Sequence, residues 1–265
     1  MMRYAIFDPT GNITALVESP VAPEARRAAA DAIMARHAQV EQVGFVTLSD
    51  SGAALRMAGG EFCGNAGMSA AALWLLRRGA ADGKEKTVSL RVSGVERALR
   101  VNLRQEADGG FAAAIGMPPA LEITAVDCGG AALPLVRMEG ICHAVVLRAS
   151  ALFSLREEPE KAERTVRALC ARLGAPCLGL LFVDGTAPEL RLTPLVYVPG
   201  SDTLFWEKAC ASGSAAVGTY LAARAGRALA LSFSQPGGTL RVTSDPLSGE
   251  TVLFGTTRLT GSFEG

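Results

Sequence analysis

The sequence predicts an α+β fold built from two similar halves, residues 1–122 and 123–265, related by a pseudo-twofold axis. Three observations predict it. The order of β-rich and helical runs in the first half recurs in the second, both copies centre on a cysteine followed by small residues, and the repeat changes hands near Pro118 to Val126.

Taken in order, GNITALV from Gly11 parallels GICHAVV from Gly140, and both read as turns leading into strands. The segments Glu24 to His37 and Glu160 to Gly174 have helical composition and spacing, and the second closes on a glycine suited to a C-terminal cap. Gly44 to Met57 answers Leu180 to Leu192, each a pair of β-rich runs around a Gly-containing turn. Next comes CGNAGMSAAALWLLRRG from Cys63 against CASGSAAVGTYLAARAG from Cys210. Cys63 and Cys210, Arg77 and Arg224, and Gly79 and Gly226 align at one constant offset, and each segment reads as a small-residue loop opening a helix. Finally LRVSGVERALRVNL answers LSFSQPGGTLRVTS, with Leu99-Arg100-Val101 opposite Leu240-Arg241-Val242.

Composition narrows the partner. Lys+Arg and Asp+Glu both total 26, so no basic excess draws nucleic acid or an anionic membrane, and a small molecule is the expected ligand. The N-terminal MMRYAIFDPT has no signal-peptide core, and no run of about 18 apolar residues follows, which places the chain in the cytoplasm. In that compartment its six cysteines are expected as thiols, without a Cys-x-x-Cys metal motif. With four lysines and no phosphate loop, no Schiff-base or nucleotide site stands out, so no cofactor and no metal are expected.

A pseudo-symmetric pair places equivalent residues on opposite walls of a shared cleft, and here these are Cys63 and Cys210. Inverting a stereocentre by proton removal and return needs a base on one face and an acid on the other, roles that matched residues satisfy in both directions. A helix N-terminus lowers a thiol's pKa, so that thiol and thiolate coexist near neutral pH. Gly64, Asn65, Ala211, Ser212 and Gly213 would let backbone N–H groups approach a substrate carboxylate, which collects charge in the transition state. Cys128, Cys142, Cys170 and Cys177 have no counterpart Cys in the other half and read as structural. His143 reads as a hydrogen-bonded wall residue, Asn12 as a turn residue, and Glu41, Glu61 and Glu207 as solvated carboxylates unless they serve the site.

The motifs GGEFCGNAG and ACASGSAA resemble the two cysteine motifs of the diaminopimelate epimerase superfamily. DPTGNITALV, EQVGF from Glu41, PLVYVPGSDTLFWEKAC and QPGG from Gln235 are closer to its histidine racemases, and the resemblance spans nearly the whole chain. It implies a two-half fold, a homodimer, cofactor-independent chemistry on an amino acid, and a supply of D-histidine to metallophores of the staphylopine type. It also implies catalytic roles for Cys63 and Cys210, carboxylate binding at Gly64, Asn65, Ala211, Ser212 and Gly213, and substrate contacts from Asn12 and, at its amine, Glu207. The Glu-Arg-Gly that precedes the second cysteine in diaminopimelate epimerases is Phe205-Trp206-Glu207-Lys208 here, and their Gly-Asn-Pro-His is Gly140-Ile141-Cys142-His143. Without the arginine a distal carboxylate loses its bidentate partner, whereas Glu41 offers an acceptor to an imidazole, so histidine is the expected substrate. Diaminopimelate or another amino acid is the alternative. A binding protein on the same fold is the alternative from another class.

Overall fold

Both halves begin as hairpins. In the computed structural model, which describes residues 2–264, β1 (Arg3–Asp8) and β2 (Thr14–Val17) pair antiparallel around a turn where Thr10 and Gly11 take φ values of 58° and 89°. Helix α1 (Arg26–Arg36) returns the chain to β3 (Gln42–Ser49), parallel to β2, and β3 folds back into antiparallel β4 (Gly52–Met57). After α2 (Gly64–Arg77) come β5 (Lys86–Val92), parallel to β4, then β6 (Leu99–Gln105) and β7 (Phe111–Gly116) in antiparallel succession.

The second unit repeats that order. β8 (Ala120–Cys128), β9 (Ala131–Met138) and β10 (Ile141–Leu147) run antiparallel, and α3 (Pro159–Leu173) leads to β11 (Leu178–Thr186), parallel to β10. β12 (Glu189–Val198) folds back on β11, and β13 (Thr203–Trp206) pairs with it as an extra strand without a counterpart in the first unit. Then α4 (Ala211–Ala225) precedes β14 (Leu229–Gln235), parallel to β12, and β15 (Gly238–Ser244), antiparallel to β14. The last strand, β16 (Thr251–Glu264), pairs antiparallel with β1 from Arg3↔Glu264 to Asp8↔Arg258 and also neighbours β7. It completes an eight-strand barrel from β1 to β7.

That closure alters the expected division. The compact units separate between Gly116 and Met117, and the chain from Phe254 onward joins the first unit, instead of dividing once between residues 122 and 123. The reason is the β1–β16 ladder, whose six paired positions tie the end of the chain to its beginning. The boundary expected near Pro118 to Val126 falls largely within strand β8.

Packing follows from patterning. α2 is apolar or small around its whole first three turns, a composition that demands enclosure, and it packs against each strand from β2 to β7. Gly67 fits it there, because a Cβ would stand 3.1 Å from both Ile115 and Leu90 side chains. By contrast α3 is amphipathic: Ala162, Val166, Leu169 and Cys170 lie one or two turns apart and face the second unit's core beside Phe153, Leu180 and Phe182. Burial of Leu169 alone is worth about 1.5 to 3 kcal/mol. Gly174 ends α3 with a φ of 58°, the left-handed C-terminal cap read from the sequence. Among the described residues no helix is long and apolar enough to cross a membrane.

Candidate active site

Cys63 and Cys210 are the N-cap residues of α2 and α4, both extended, with φ/ψ of −134°/111° and −119°/108°. Each thiol accepts a backbone N–H from one turn inside its helix: Ala66 N–H at 3.5 Å to Cys63 Sγ, and Gly213 N–H at 3.3 Å to Cys210 Sγ. The absence of a side chain at that last position keeps the packing close, since a Cβ on Gly213 would stand 3.1 Å from Sγ and 2.9 Å from the Leu181 side chain and would make both give way. The first turns carry no acidic side chain that would compete for the positive end of either helix.

The thiols differ in setting. Cys63 is half-buried, while Cys210 is 3% exposed. Burial pushes the Cys210 thiol well above its usual range, and the Glu207 carboxylate, close enough to hydrogen-bond it, pushes the same way. The bonds from Ser212 and the Gly213 N–H pull it down by less. The expected lowering by a helix N-terminus is therefore overruled at Cys210, which is a protonated thiol at neutral pH. Glu207, expected to be a solvated carboxylate or an amine contact, stands against this thiol. Gly213 spends its N–H on sulfur and has none for a ligand. Ala211 and Ser212 open α4, at the positions where helices leave N–H donors unused.

In the first unit Asn12, Glu41 and Asn65 come together. Asn12 is 1% exposed; its Nδ2 donates to Glu41 Oε2 at 2.7 Å, and its Oδ1 accepts from Asn65 Nδ2 at 3.1 Å. Asn12 is thus a structural joint between the β1–β2 turn, the residue before β3 and the first turn of α2. Gln42 completes it, donating to Asn12 Oδ1 and, at 2.9 Å, to Thr14 Oγ1. Reading EQVGF for its charge alone passed over Gln42. Gly64 opens α2 beside Cys63 and is buried.

Two buried groups depart from expectation. His143, read as hydrogen-bonded, has neither ring nitrogen partnered among the described residues, and burial lowers it from 6.5 to about 3. Its neighbours on β10, Cys142 and Ala144, join the α3-side core, so His143 points to the other face. There its Nδ1 lies 2.3 Å from where a Gly179 Cβ would be, and Leu181, two residues further along β11, meets the first turn of α4 at Gly213. Glu61, two residues before Cys63, is not solvated: desolvation raises its carboxyl from 4.5 to about 6, against backbone bonds from Glu61 and Gly59 and the charge of Arg56.

These groups titrate in opposite senses. Below pH 6.5 an unfolded chain protonates His143 while the folded one does not, so this contribution is present above 6.5 and is lost as pH falls toward 3. Glu61 contributes stability below 4.5 that is lost as pH rises through 6. The His143 shift is the larger, so acidification from pH 6.5 toward 3 should lower the denaturant midpoint, most steeply below 4.5 where Glu61 offsets no more of it, and His143→Gln should flatten the loss. An identical pH slope in the variant refutes this burial assignment.

Among the described residues no three His, Cys, Asp or Glu side chains gather as they would around a metal ion. All six cysteines are thiols, not disulfides.

Solved structures with this architecture include a predicted epimerase of Pseudomonas aeruginosa, with a TM-score of 0.71 at 18% identity, covering 100% of this chain and 99% of that one. A hydroxyproline epimerase of Agrobacterium vitis superposes with a TM-score of 0.63 at 14% identity over 99% of this chain and 90% of that one. The fold is thus one shared with racemases and epimerases. Sequence carries the assignment further. The model of the histidine racemase CntK N-terminal domain matches residues 1–254. A histidine racemase of Fusobacterium nucleatum is 32% identical over 83% of this chain and 81% of its own length. Another, of Staphylococcus aureus, is 28% identical over 92% and 89%. This chain belongs to the histidine racemase family and is an isomerase.

Proposed function

We propose that this chain interconverts L- and D-histidine, with Cys63 and Cys210 as base and acid on opposite faces of the α-carbon. The observation that carries the reading is the matched pair of cysteine-capped helix starts, each holding its sulfur against a backbone N–H. On this reading the finer description of the architecture is diaminopimelate epimerase-like, and the working form is a homodimer.

On this reading Cys210 starts as the acid, because burial and Glu207 hold its proton, and Cys63 starts as the base. A Cys63 thiolate takes the α-proton and becomes a thiol; the electron pair left on carbon delocalises into the carboxylate; Cys210 then delivers its proton to the other face and becomes the thiolate. Charge gathering on the carboxylate meets the N–H groups of Ala211 and Ser212 and the starts of α2 and α4, with Gly64 and Asn65 giving close access. This sequence balances without an electron sink, so the reading includes no cofactor and no metal. Glu207, held at Cys210, favours the thiol that the first half-reaction needs and faces the substrate amine. Glu41, oriented by Asn12, accepts the imidazole N–H.

The test is α-proton exchange. In D2O, NMR should show loss of the α-proton signal from histidine much faster than from diaminopimelate, whose second carboxylate would find Glu207 and Lys208 where its arginine partner should be. Rapid exchange of diaminopimelate with none of histidine would overturn the substrate assignment.

A further inference from the structure

The backbone of Cys210 is gripped on both sides by side chains that the chemistry above leaves unused. Its N–H donates to Gln235 Oε1 at 2.8 Å, and its C=O accepts from Ser214 Oγ at 2.7 Å. Gln235 Nε2 in turn donates to Ser214 Oγ at 3.0 Å. One amide and one hydroxyl therefore close a ring of hydrogen bonds around the N-cap residue, with Gln235 7% and Ser214 0% exposed. Next to it, Gly237 N–H donates to Lys208 C=O at 2.7 Å, so the β14–β15 turn holds the approach to α4 at two points.

The matching turn of the first unit does related work with a smaller residue. Ser93, just after β5, donates to Glu61 C=O at 2.7 Å and accepts from Met57 N–H at 3.0 Å. That grip ends two residues short of Cys63, whereas Gln235 reaches Cys210 itself. The difference has a physical use. Sulfur is a weak acceptor, and cysteine is not among the strong N-cap residues, so the bond from Gly213 N–H holds the thiol only loosely. A buried amide that satisfies the N-cap N–H and steers the hydroxyl on its C=O fixes the backbone from which the thiol projects.

We propose that Gln235 is a positioning residue for Cys210, acting through its backbone and touching no substrate. The proposal rests on the two-thiol reading and adds a specific asymmetry to it: loss of Gln235 impairs the Cys210 face and spares the Cys63 face.

Gln235→Leu removes both side-chain bonds of residue 235 at similar volume, and Gln235→Glu keeps an acceptor for the Cys210 N–H while losing the donor to Ser214. Inversion is followed by chiral chromatography, and α-proton exchange in D2O is followed by NMR from L- and D-histidine separately. Gln235→Leu should lower kcat for inversion by about tenfold to a hundredfold, as slight misplacement of a reacting group does, with KM within about threefold. Exchange should persist from the one enantiomer that Cys63 deprotonates, and Gln235→Glu should recover part of the loss. Equal falls in exchange from both enantiomers, or unchanged inversion, overturn the proposal. Should Gln235→Leu fail to fold, Ser214→Ala removes the bond to the Cys210 C=O and the acceptor for Gln235 Nε2, leaves the bond to the Cys210 N–H, and must show the same asymmetry. Absence of exchange by the unaltered protein defeats the histidine reading instead. Positioning is then read from iodoacetamide alkylation of Cys210 in a Cys63→Ser background, which Gln235→Leu should accelerate about tenfold by loosening its N-cap and which a bystander would leave unchanged.

Discussion

Cys63→Ser and Cys210→Ser should each reduce histidine racemisation by about a hundredfold to ten-thousandfold, the span of one positioned proton carrier. Serine keeps a side-chain acceptor for the N–H of Ala66 or Gly213 and is the better N-cap, so the fold should be preserved or slightly strengthened. What it loses is acidity, because an alkoxide is far harder to form than a thiolate. The two variants should fail differently. Cys210→Ser leaves the resting base on Cys63, so α-proton exchange should survive from one enantiomer. Cys63→Ser leaves a buried thiol held protonated by desolvation and Glu207, and exchange should be slow from both near neutral pH, recovering partly as pH rises and Cys210 ionises. Chiral chromatography at several pH values, with exchange in D2O, checks both patterns. Near-full racemisation by either variant would end the two-base mechanism.

Glu41→Gln should weaken kcat/KM for histidine by roughly tenfold to a hundredfold, the equivalent of one charge-assisted hydrogen bond of about 1.5 to 3 kcal/mol. The substitution is nearly isosteric, and its amide oxygen can still accept from Asn12 Nδ2, so the buried joint of Asn12, Asn65 and Gln42 should hold. Steady-state kinetics on histidine and on an amino acid with an uncharged aliphatic side chain make the comparison. Equal losses on both would show that Glu41 supports the site without choosing its substrate.

How much of this was legible beforehand depended on distance along the chain. The cysteine-capped helices were readable because all their determinants are local: a cysteine, small residues after it, and apolar positions for fourteen or fifteen residues. The hairpins and α3 were readable for the same reason, down to the glycine that ends α3. Barrel closure was not, because it pairs Arg3 with Glu264, and alternation within a strand says nothing about its partner. Glu41 was noticed as a charge in a motif, but its link to Asn12 spans 29 residues. Gln235 opens the QPGG run, but a neutral amide signals no chemistry until its partners are known. The setting of Cys210 is not legible from its helix position, which is local, while desolvation comes from the surrounding fold. The same holds for His143: its isolation depends on Gly179, brought beside it by parallel pairing of β10 and β11.

The place of β16 bears on how the protein is made. Seven staves of the barrel, and the helix they enclose, are encoded before residue 117, yet the eighth, Thr251–Glu264, follows the whole second unit. During synthesis the N-terminal unit therefore cannot finish folding when its own half has left the ribosome. The edges of β1 and β7 wait, unpaired, until the second unit has been translated and β16 has emerged. The pairing of Arg3 with Glu264 is strongly non-local in sequence, which makes barrel closure a late event in folding.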